Sequence, residues 1–460
     1  MAESKNVRDM EKNRKPIRRI TIDNFGAIGS LDLRLDRPLQ IVIGPQASGK
    51  STLGKSIYFC RKIRDYFVDF AGEVLKGRFD SEYYLNFQKF LRNPFMGCFG
   101  TTKHMDPFVI RYFYDDAEHK FVAISLDRDS YATFQFSESI RTQLENTLQE
   151  VVEAKKNMPG FLSSAHKWRQ DFLELVRSFA NKIFVDDERL LYIPAGRNLL
   201  ATIPDLIQPE PPSSVRGMSN NVDIRRTDLI TQDFITYILE MKGRFGSKLE
   251  EITQDYLKTV KGQIRNKDVA LACELIRRIL KADYIYDKDG TEKLYYADGK
   301  WVKLMFGSSG QQEVLWALNC IFLVILQNEK TFLVFEEPES HIFPDAQESI
   351  AELVALMIYS SGSEVFLTTH SPYMLTAFNL LIYSGRVERS NESPVVEKQF
   401  RLGPQTVAAY LLSGSKRKII DLIDSKRGLI DALQIDGVSD RINARMDALL
   451  ERQLRAGKRN

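Results

Sequence analysis

The amino-acid sequence predicts an α/β chain whose main sheet is assembled from two stretches far apart in the sequence. An antiparallel β subdomain and a mostly helical insert are expected between them. Three observations carry this reading. "LQIVIGP" (39–45) is a continuous apolar run, as a strand covered on both faces requires, and "GKSTLGKSIYFCRKIRDYF" after it has helical character. From Phe332 the pattern is strand, helix, strand, helix, in "FLVFEE", "AQESIAELVALMIYS", "EVFLTTH" and "PYMLTAFNLLIY". Between the two lie β-rich runs and then residues at helical spacing.

Each element follows from its pattern. In "SLDLRLD", Leu31, Leu33 and Leu35 alternate with Asp32, Arg34 and Asp36, which marks a half-buried strand. "FVIRYFY", "FVAISLD" and "YATFQFS" are separated by charged turns and read as an antiparallel meander. Around Ser137 the period becomes helical, with Ile140, Leu144, Leu148 and Val151, then Trp168, Phe172, Leu175 and Phe179. "PDLIQPEPPSSVRGMSNN" reads as a flexible loop within 203–226, and helical pattern resumes with Phe234, Ile238, Met241 and Phe245. "ADYIYDKDGTEKLYYADGKWVKLM" bends at two Asp-Gly pairs. "VLWALNCIFLVIL" reads as a buried helix, short of the ~20 residues that span a bilayer. The expected division is 1–136 and 283–400 for the two halves of the core, 137–282 for the insert, and 401–460 for a helical tail. In that tail Ile442, Met446 and Leu450 recur at helical spacing.

Composition narrows the class. The 460 residues are 43% hydrophobic and 27% charged, ordinary material for two or three packed units. A net charge of +3 is too small to argue for nucleic acid, and the basic runs "KNRKPIRR" and "RAGKRN" read as solvated tails. Cys60, Cys98, Cys273 and Cys320 are scattered without a CxxC pair, which argues against a disulfide or zinc framework. With a polar N-terminus unlike a signal peptide, the chain is expected in the cytoplasm, away from membranes.

The motifs carry chemistry. "GPQASGKST" fits G-x-x-x-x-G-K-[ST] between an apolar strand and a helix. Backbone N–H groups of such a loop cradle phosphate oxygens at a helix N-terminus. Gly44, Ser48, Gly49, Lys50, Ser51 and Thr52 are the candidate phosphate contacts, with Lys50 reaching the β- and γ-phosphates and the Ser51 hydroxyl on Mg²⁺. "FLVFEE" ends a strand in carboxylates at the same edge of the sheet. Glu336 is then the candidate Mg²⁺ ligand, and Glu337 the group that polarises the attacking water. His370, directly after "EVFLTT", is a candidate γ-phosphate contact. "FGSSGQQE" before the long apolar helix suits either phosphate contact or simple N-capping. Arg197 in "IPAGR" suits an anion contact, but a turn arginine is more often a surface salt-bridge partner.

In the order P-loop, S-S-G-Q, Glu-Glu, His, these strings resemble the ATP-binding-cassette (ABC) type of P-loop NTPase. That resemblance implies ATP as substrate with Mg²⁺, Glu337 as the hydrolytic glutamate and His370 as a switch histidine. It also implies that Ser308, Ser309, Gly310 and Gln311 complete the ATP site of a partner copy, so that a homodimer or higher assembly is the working unit. "EEPESHIFP", "TTHSPYML", "NFGAIGSLDLRL" and "LYIPAGR" are similar to strings of the overcoming-lysogenization-defect and abortive-infection-type ATPases. Departures are Gly307, where a leucine often opens the signature, and Glu336, where aspartate is usual. The glutamine such ATPases keep near the metal is unplaced between Gln88 and Gln135, and His341 falls where relatives cross to the partner.

Three functions compete on this basis. The first is the regulatory ATPase of a bacterial anti-phage defence system that controls a separate effector, such as a nuclease. The second is a DNA-repair or DNA-clamp head, which leaves DNA open as a partner; the third is a transporter ATPase subunit. No long heptad arm or CxxC hook supports the second, and the β-meander after the P-loop disfavours the third.

Overall fold

The computed structural model describes residues 16–79, 81–156, 162–197, 227–259, 265–387, 394–403, 405–413, 418–431 and 443–449. Strands β1 (Arg18–Phe25), β2 (Ile28–Leu35) and β3 (Leu39–Ile43) precede the 26-residue helix α1 (Lys50–Leu75). Helices α2 (Tyr83–Phe90) and α3 (Arg92–Phe99) lead to β4 (Val109–Asp115), β5 (Lys120–Leu126) and β6 (Ala132–Phe136). Then come α4 (Glu138–Lys156), α5 (Leu162–Ile183), β7 (Arg189–Ile193), α6 (Leu229–Met241), α7 (Leu249–Thr259) and α8 (Asn266–Leu280). A small sheet of β8 (Asp283–Tyr286), β9 (Glu292–Tyr295) and β10 (Trp301–Lys303) precedes α9 (Ser309–Gln327). The last elements are β11 (Thr331–Glu336), α10 (Pro344–Ser361), β12 (Glu364–Thr369), α11 (Pro372–Val387), β13 (Val407–Ser413) and β14 (Lys418–Asp421).

The central sheet runs β14-β13-β3-β12-β11-β7 and is parallel except at β14. Strand side chains alternate in direction, so each central strand feeds two cores, which is why its sequence is apolar throughout. Leu39, Ile41, Leu333, Phe335, Val365 and Leu367 pack with α8, α9, α10 and α11. Val42, Tyr192, Val334 and Phe366 face the other way, onto α1 and the antiparallel sheet β2-β1-β4-β5-β6. The predicted α/β class, with its antiparallel β subdomain, is what the structure shows.

The run in α9 is buried at every residue from Glu313 to Leu326. Among the described residues it is the one helix long and apolar enough to cross a membrane, and it lies inside the protein core.

Two expected boundaries change. Segment 137–282 is not a separate insert, because β7 within it is an edge strand of the central sheet, paired in parallel with β11. Its helices are shared out as well. Buried residues of α4 and α5 join the core around α1, while α6 and α8 complete the opposite one. Nor is 401–460 a helical tail. "VAAYLLS" within it forms β13, because the edge of β3 supplies a parallel partner for its backbone. Among the described residues of that segment, helix is at 443–449, where Met446 is exposed; Ile442, Leu450 and the loop 203–226 lie outside the described residues. In α5 Trp168 and Phe172 pack half-buried against the core around α1 as expected, but further along the buried residues are Val176, Ala180 and Ile183, and Leu175 is exposed.

Candidate active site

Strand register builds the site. Ile43 pairs with Thr369, Thr368 with Glu336, and Phe335 with Ile193. The residues just past these carboxyl ends, Gly44, His370, Glu337 and Pro194, therefore share one edge of the sheet. That edge is where open α/β sheets bind ligands.

The loop 44–49 has alternating backbone hands, with Ala47 at φ 58° and Gly49 at φ 99°. Such alternation turns successive N–H groups inward to form an anion cradle. A Cβ on Gly49 would lie 2.7 Å from Ile28 Cγ1, so neither the conformation nor the space admits a larger residue. Gly49 caps α1 without a side-chain hydrogen bond, which leaves first-turn N–H groups to be satisfied by a ligand. Lys50 Nζ donates to the carbonyls of Gly44 and Pro45, each at 3.0 Å. Burial pushes its ammonium below the ordinary lysine range, and the charges of Glu337, Glu339 and Glu336 pull the other way. Ser48 Oγ is buried without a hydrogen-bond partner, whereas Ser51 is exposed and Thr52 half-buried on the first turn of α1.

Glu337 extends the sheet by one step, its N–H donating to Thr368 O at 2.9 Å. Its φ of 42° is left-handed, a conformation that costs a non-glycine residue about 1–2 kcal/mol. Its carboxylate Oε1 lies 3.3 Å from His370 Nε2, with both side chains one-third exposed. Glu339 Oε1 accepts from the Thr369 hydroxyl at 2.7 Å and from the His370 N–H at 2.6 Å, which holds the histidine loop against the turn. The Ser371 hydroxyl donates to Gln347 Oε1 at 2.6 Å and secures the same loop from α10.

Glu336 has a different environment. It is buried, and its two oxygens accept from Tyr192 O–H at 2.8 Å and from Ala195 N–H at 3.1 Å. Each oxygen keeps a second lone-pair direction. Among the described residues no cluster of three His, Cys, Asp or Glu side chains could cage a metal. The donors present are the Ser51 hydroxyl and the Glu336 and Glu337 carboxylates. That sparse set of oxygens fits Mg²⁺, which completes its shell with phosphate oxygens and water.

The AAA ATPase domain family matches residues 16–375, well over half of the sequence. The chain belongs to the AAA ATPase domain family. Among solved structures this AAA ATPase is similar to the SMC head domain from Thermotoga maritima, at 11% identity and a TM-score of 0.34, over 79% of this chain and 92% of that one. An Smc head bound to the C-terminal winged-helix domain of ScpA aligns at 12% identity and a TM-score of 0.37, over 79% and 92%. The Smc head with an extended coiled coil, bound to the C-terminal domain of ScpA from Pyrococcus furiosus, aligns at 13% identity and a TM-score of 0.34, over 88% and 96%. No curated protein matches the sequence.

In this AAA ATPase the remaining sequence candidates fall into two groups. Ser308 is the N-cap of α9 in a full capping box: its hydroxyl accepts from Gln311 N–H, and Gln311 Oε1 accepts from Ser308 N–H. Gln311 Nε2 donates to Leu280 O, so its polar atoms are engaged within the chain, while Ser308 and Ser309 are exposed. A Cβ on Gly310 would meet His341 O at 2.7 Å, so the start of α9 lies against the loop after Glu337 in the same chain. His341 itself is exposed at φ 59°. Neither glutamine candidate joins this group. Gln88 donates to Phe134 O in the antiparallel sheet, and Gln135 is exposed on β6.

Arg197 corrects the expectation of a surface salt bridge, because it is only 1% exposed. Its N–H donates to Glu313 Oε1 at 2.8 Å and its Nε to Glu313 O at 3.0 Å. One guanidinium nitrogen donates to Pro194 O at 2.9 Å and Glu336 O at 2.7 Å, and the other to Glu337 O at 3.1 Å. Tyr192, Ala195 and Arg197 all come from β7 and the turn after it. The only sequence signal was "LYIPAGR" as a string, without a partner to assign it to.

Proposed function

We propose that this AAA ATPase is an Mg²⁺-dependent nucleotide switch in which ATP closes a homodimer or larger assembly and hydrolysis reopens it. The observation that carries this reading is the 3.3 Å approach of Glu337 to His370 on the sheet edge shared with Lys50. Lys50 and the N–H groups of the loop would hold the phosphates. Ser51 would hold Mg²⁺ with Glu336 or a Glu336-bound water, and the metal would supply charge neutralisation of the β- and γ-oxygens. Glu337 orients the attacking water and accepts its proton, and His370 limits where that carboxylate can turn. Exposed Ser308 and Ser309 at the start of α9 support a role for this surface in completing a partner's site.

Light scattering on a sizing column tests the switch. With ATP and Mg²⁺, Glu337→Gln should elute as a dimer or larger and Lys50→Ala as a monomer that binds no nucleotide. An ATP-loaded Glu337→Gln chain that stays monomeric refutes the switch.

The biological reading we favour is a cytoplasmic regulatory ATPase of a bacterial defence system that acts on a separate effector such as a nuclease. It is supported by "EEPESHIFP" and "TTHSPYML". Titrating the ATPase with double-stranded DNA at two salt concentrations tests it against the DNA-clamp alternative. Strong, salt-sensitive stimulation assigns the protein to the clamp class.

A further inference from the structure

Arg197 touches neither the P-loop nor the carboxylates of Glu336 and Glu337, only their backbone, yet it is among the most completely buried charges of the described residues. Its guanidinium lies 5.4 Å from the centre of the Phe335 ring, inside the core under the end of β11. A buried cation needs its donors satisfied, and all four acceptors its guanidinium finds are backbone carbonyls, those of Pro194, Glu336, Glu337 and Glu313. Two of these straddle the step at which the chain leaves β11 and enters the left-handed turn of Glu337. The planar fork reaches these four carbonyls at once from three separate nitrogens; a lysine ammonium, with its three donors on one atom, cannot meet them all. The remaining bonds run to Glu313, on the first turns of α9, shortly after the exposed Ser308 and Ser309.

We propose that Arg197 is a positioning residue: it fixes the strained backbone that aims the Glu337 carboxylate, and it ties that backbone to the signature helix through Glu313. Movement of α9, when its exposed N-terminal residues meet a ligand or partner, is then transmitted to Glu337 through one rigid guanidinium. The inference rests on Glu337 as the hydrolytic base.

Steady-state ATPase kinetics of the full chain separate the two ideas. Arg197→Lys keeps a buried cation beside Glu313 but its one nitrogen cannot meet all four carbonyls, and it should lower kcat about 10- to 100-fold with KM for ATP changed less than about threefold. Glu313→Gln, which keeps the shape, should lower kcat by a smaller factor in the same direction. On a Glu337→Gln background, Arg197→Lys should lower the residual rate no further, because residues acting as a unit are non-additive. Normal kcat in Arg197→Lys overturns the proposal, as does an equal loss on both backgrounds. If Glu337→Gln alone turns over normally, the parent reading of Glu337 fails instead. Thermal melts of each variant, with fluorescent-ATP binding, assign any loss of both binding and melting temperature to a merely structural role, which also overturns it.

Discussion

Replacing Glu337 by Gln isolates the chemical step from everything around it. The substitution preserves the side chain's length, and its backbone anchors do not involve the side chain: the N–H to Thr368 O and the carbonyl to Arg197 both remain. The amide still fills the space beside His370 and the Ser340 hydroxyl, which lie 3.3 and 3.4 Å from the carboxylate oxygens. The left-handed φ of 42° is no harder for Gln than for Glu. Folding stability should therefore move by no more than about 0.5 kcal/mol. What disappears is a negative charge that can take a proton from water. General-base assistance contributes about 10²–10⁴ in rate, or about 3–5 kcal/mol of barrier. Glu337 is also the foremost charge opposing the burial of Lys50, so its neutralisation leaves the lysine to a phosphate with less competition. ATP should bind at least as tightly as to the natural chain. Single-turnover hydrolysis of radiolabelled ATP, beside equilibrium binding of a fluorescent analogue, reads both quantities. A rate within threefold of the natural chain would refute the assignment of Glu337 as base.

Three further outcomes follow from the same geometry. Gly310→Ala forces a Cβ to 2.7 Å from His341 O, so the start of α9 or the loop after Glu337 must shift; turnover should drop at least tenfold while ATP binding to the P-loop persists, as paired binding and turnover assays will read. Arg61→Met removes the cation that meets Asp186 at 2.7 Å, Glu188 at 2.8 Å and Glu364 at 3.4 Å, all buried, and should cost about 3–5 kcal/mol in urea unfolding. Burial alone would raise the Asp186 carboxyl, but Arg61, with Arg18 and Arg64, lowers it to about 2, so its contribution is present above pH 3.8 and fades as pH falls toward 2. The Arg61 variant should accordingly unfold at a higher pH on acid titration. Glu352 is the reverse case: burial raises its carboxyl from 4.5 to about 7 against the opposing charge of Arg278. The unfolded chain ionises first, so stability falls between pH 4.5 and 7. Glu352→Gln should be neutral below pH 4.5 and stabilising by about 1–3 kcal/mol above pH 7 in melts across that range.

Local chemistry was legible in the sequence, and long-range partnership was not. "GPQASGKST" after an apolar strand specifies its own cradle, because the loop's φ angles, its glycines and the helix start all lie within a few residues. The same holds for the alternating leucines of β2 and the all-apolar β3, whose periods state how many faces are covered. The identity of the neighbours is a different matter. "RLLYI" and "VAAYLLS" are short and without a strong period, and they become β7 and β13 only because β11 and β3 offer parallel edges. Ser308 and Gln311 could be read as ligand contacts or as a cap, and only the geometry of α9 shows the capping box. Arg197 is the clearest instance. A turn arginine carries no mark of burial in its own sequence, and its acceptors at Glu313, Glu336 and Glu337 are 116 to 140 residues away. Backbone conformation is set by neighbours in the chain, so motifs and periodicities speak for themselves. Burial and pairing of a charge are set by whatever the folded sheet brings alongside, so the grip of Arg197 on the Glu336–Glu337 turn exists only once β7 lies against β11.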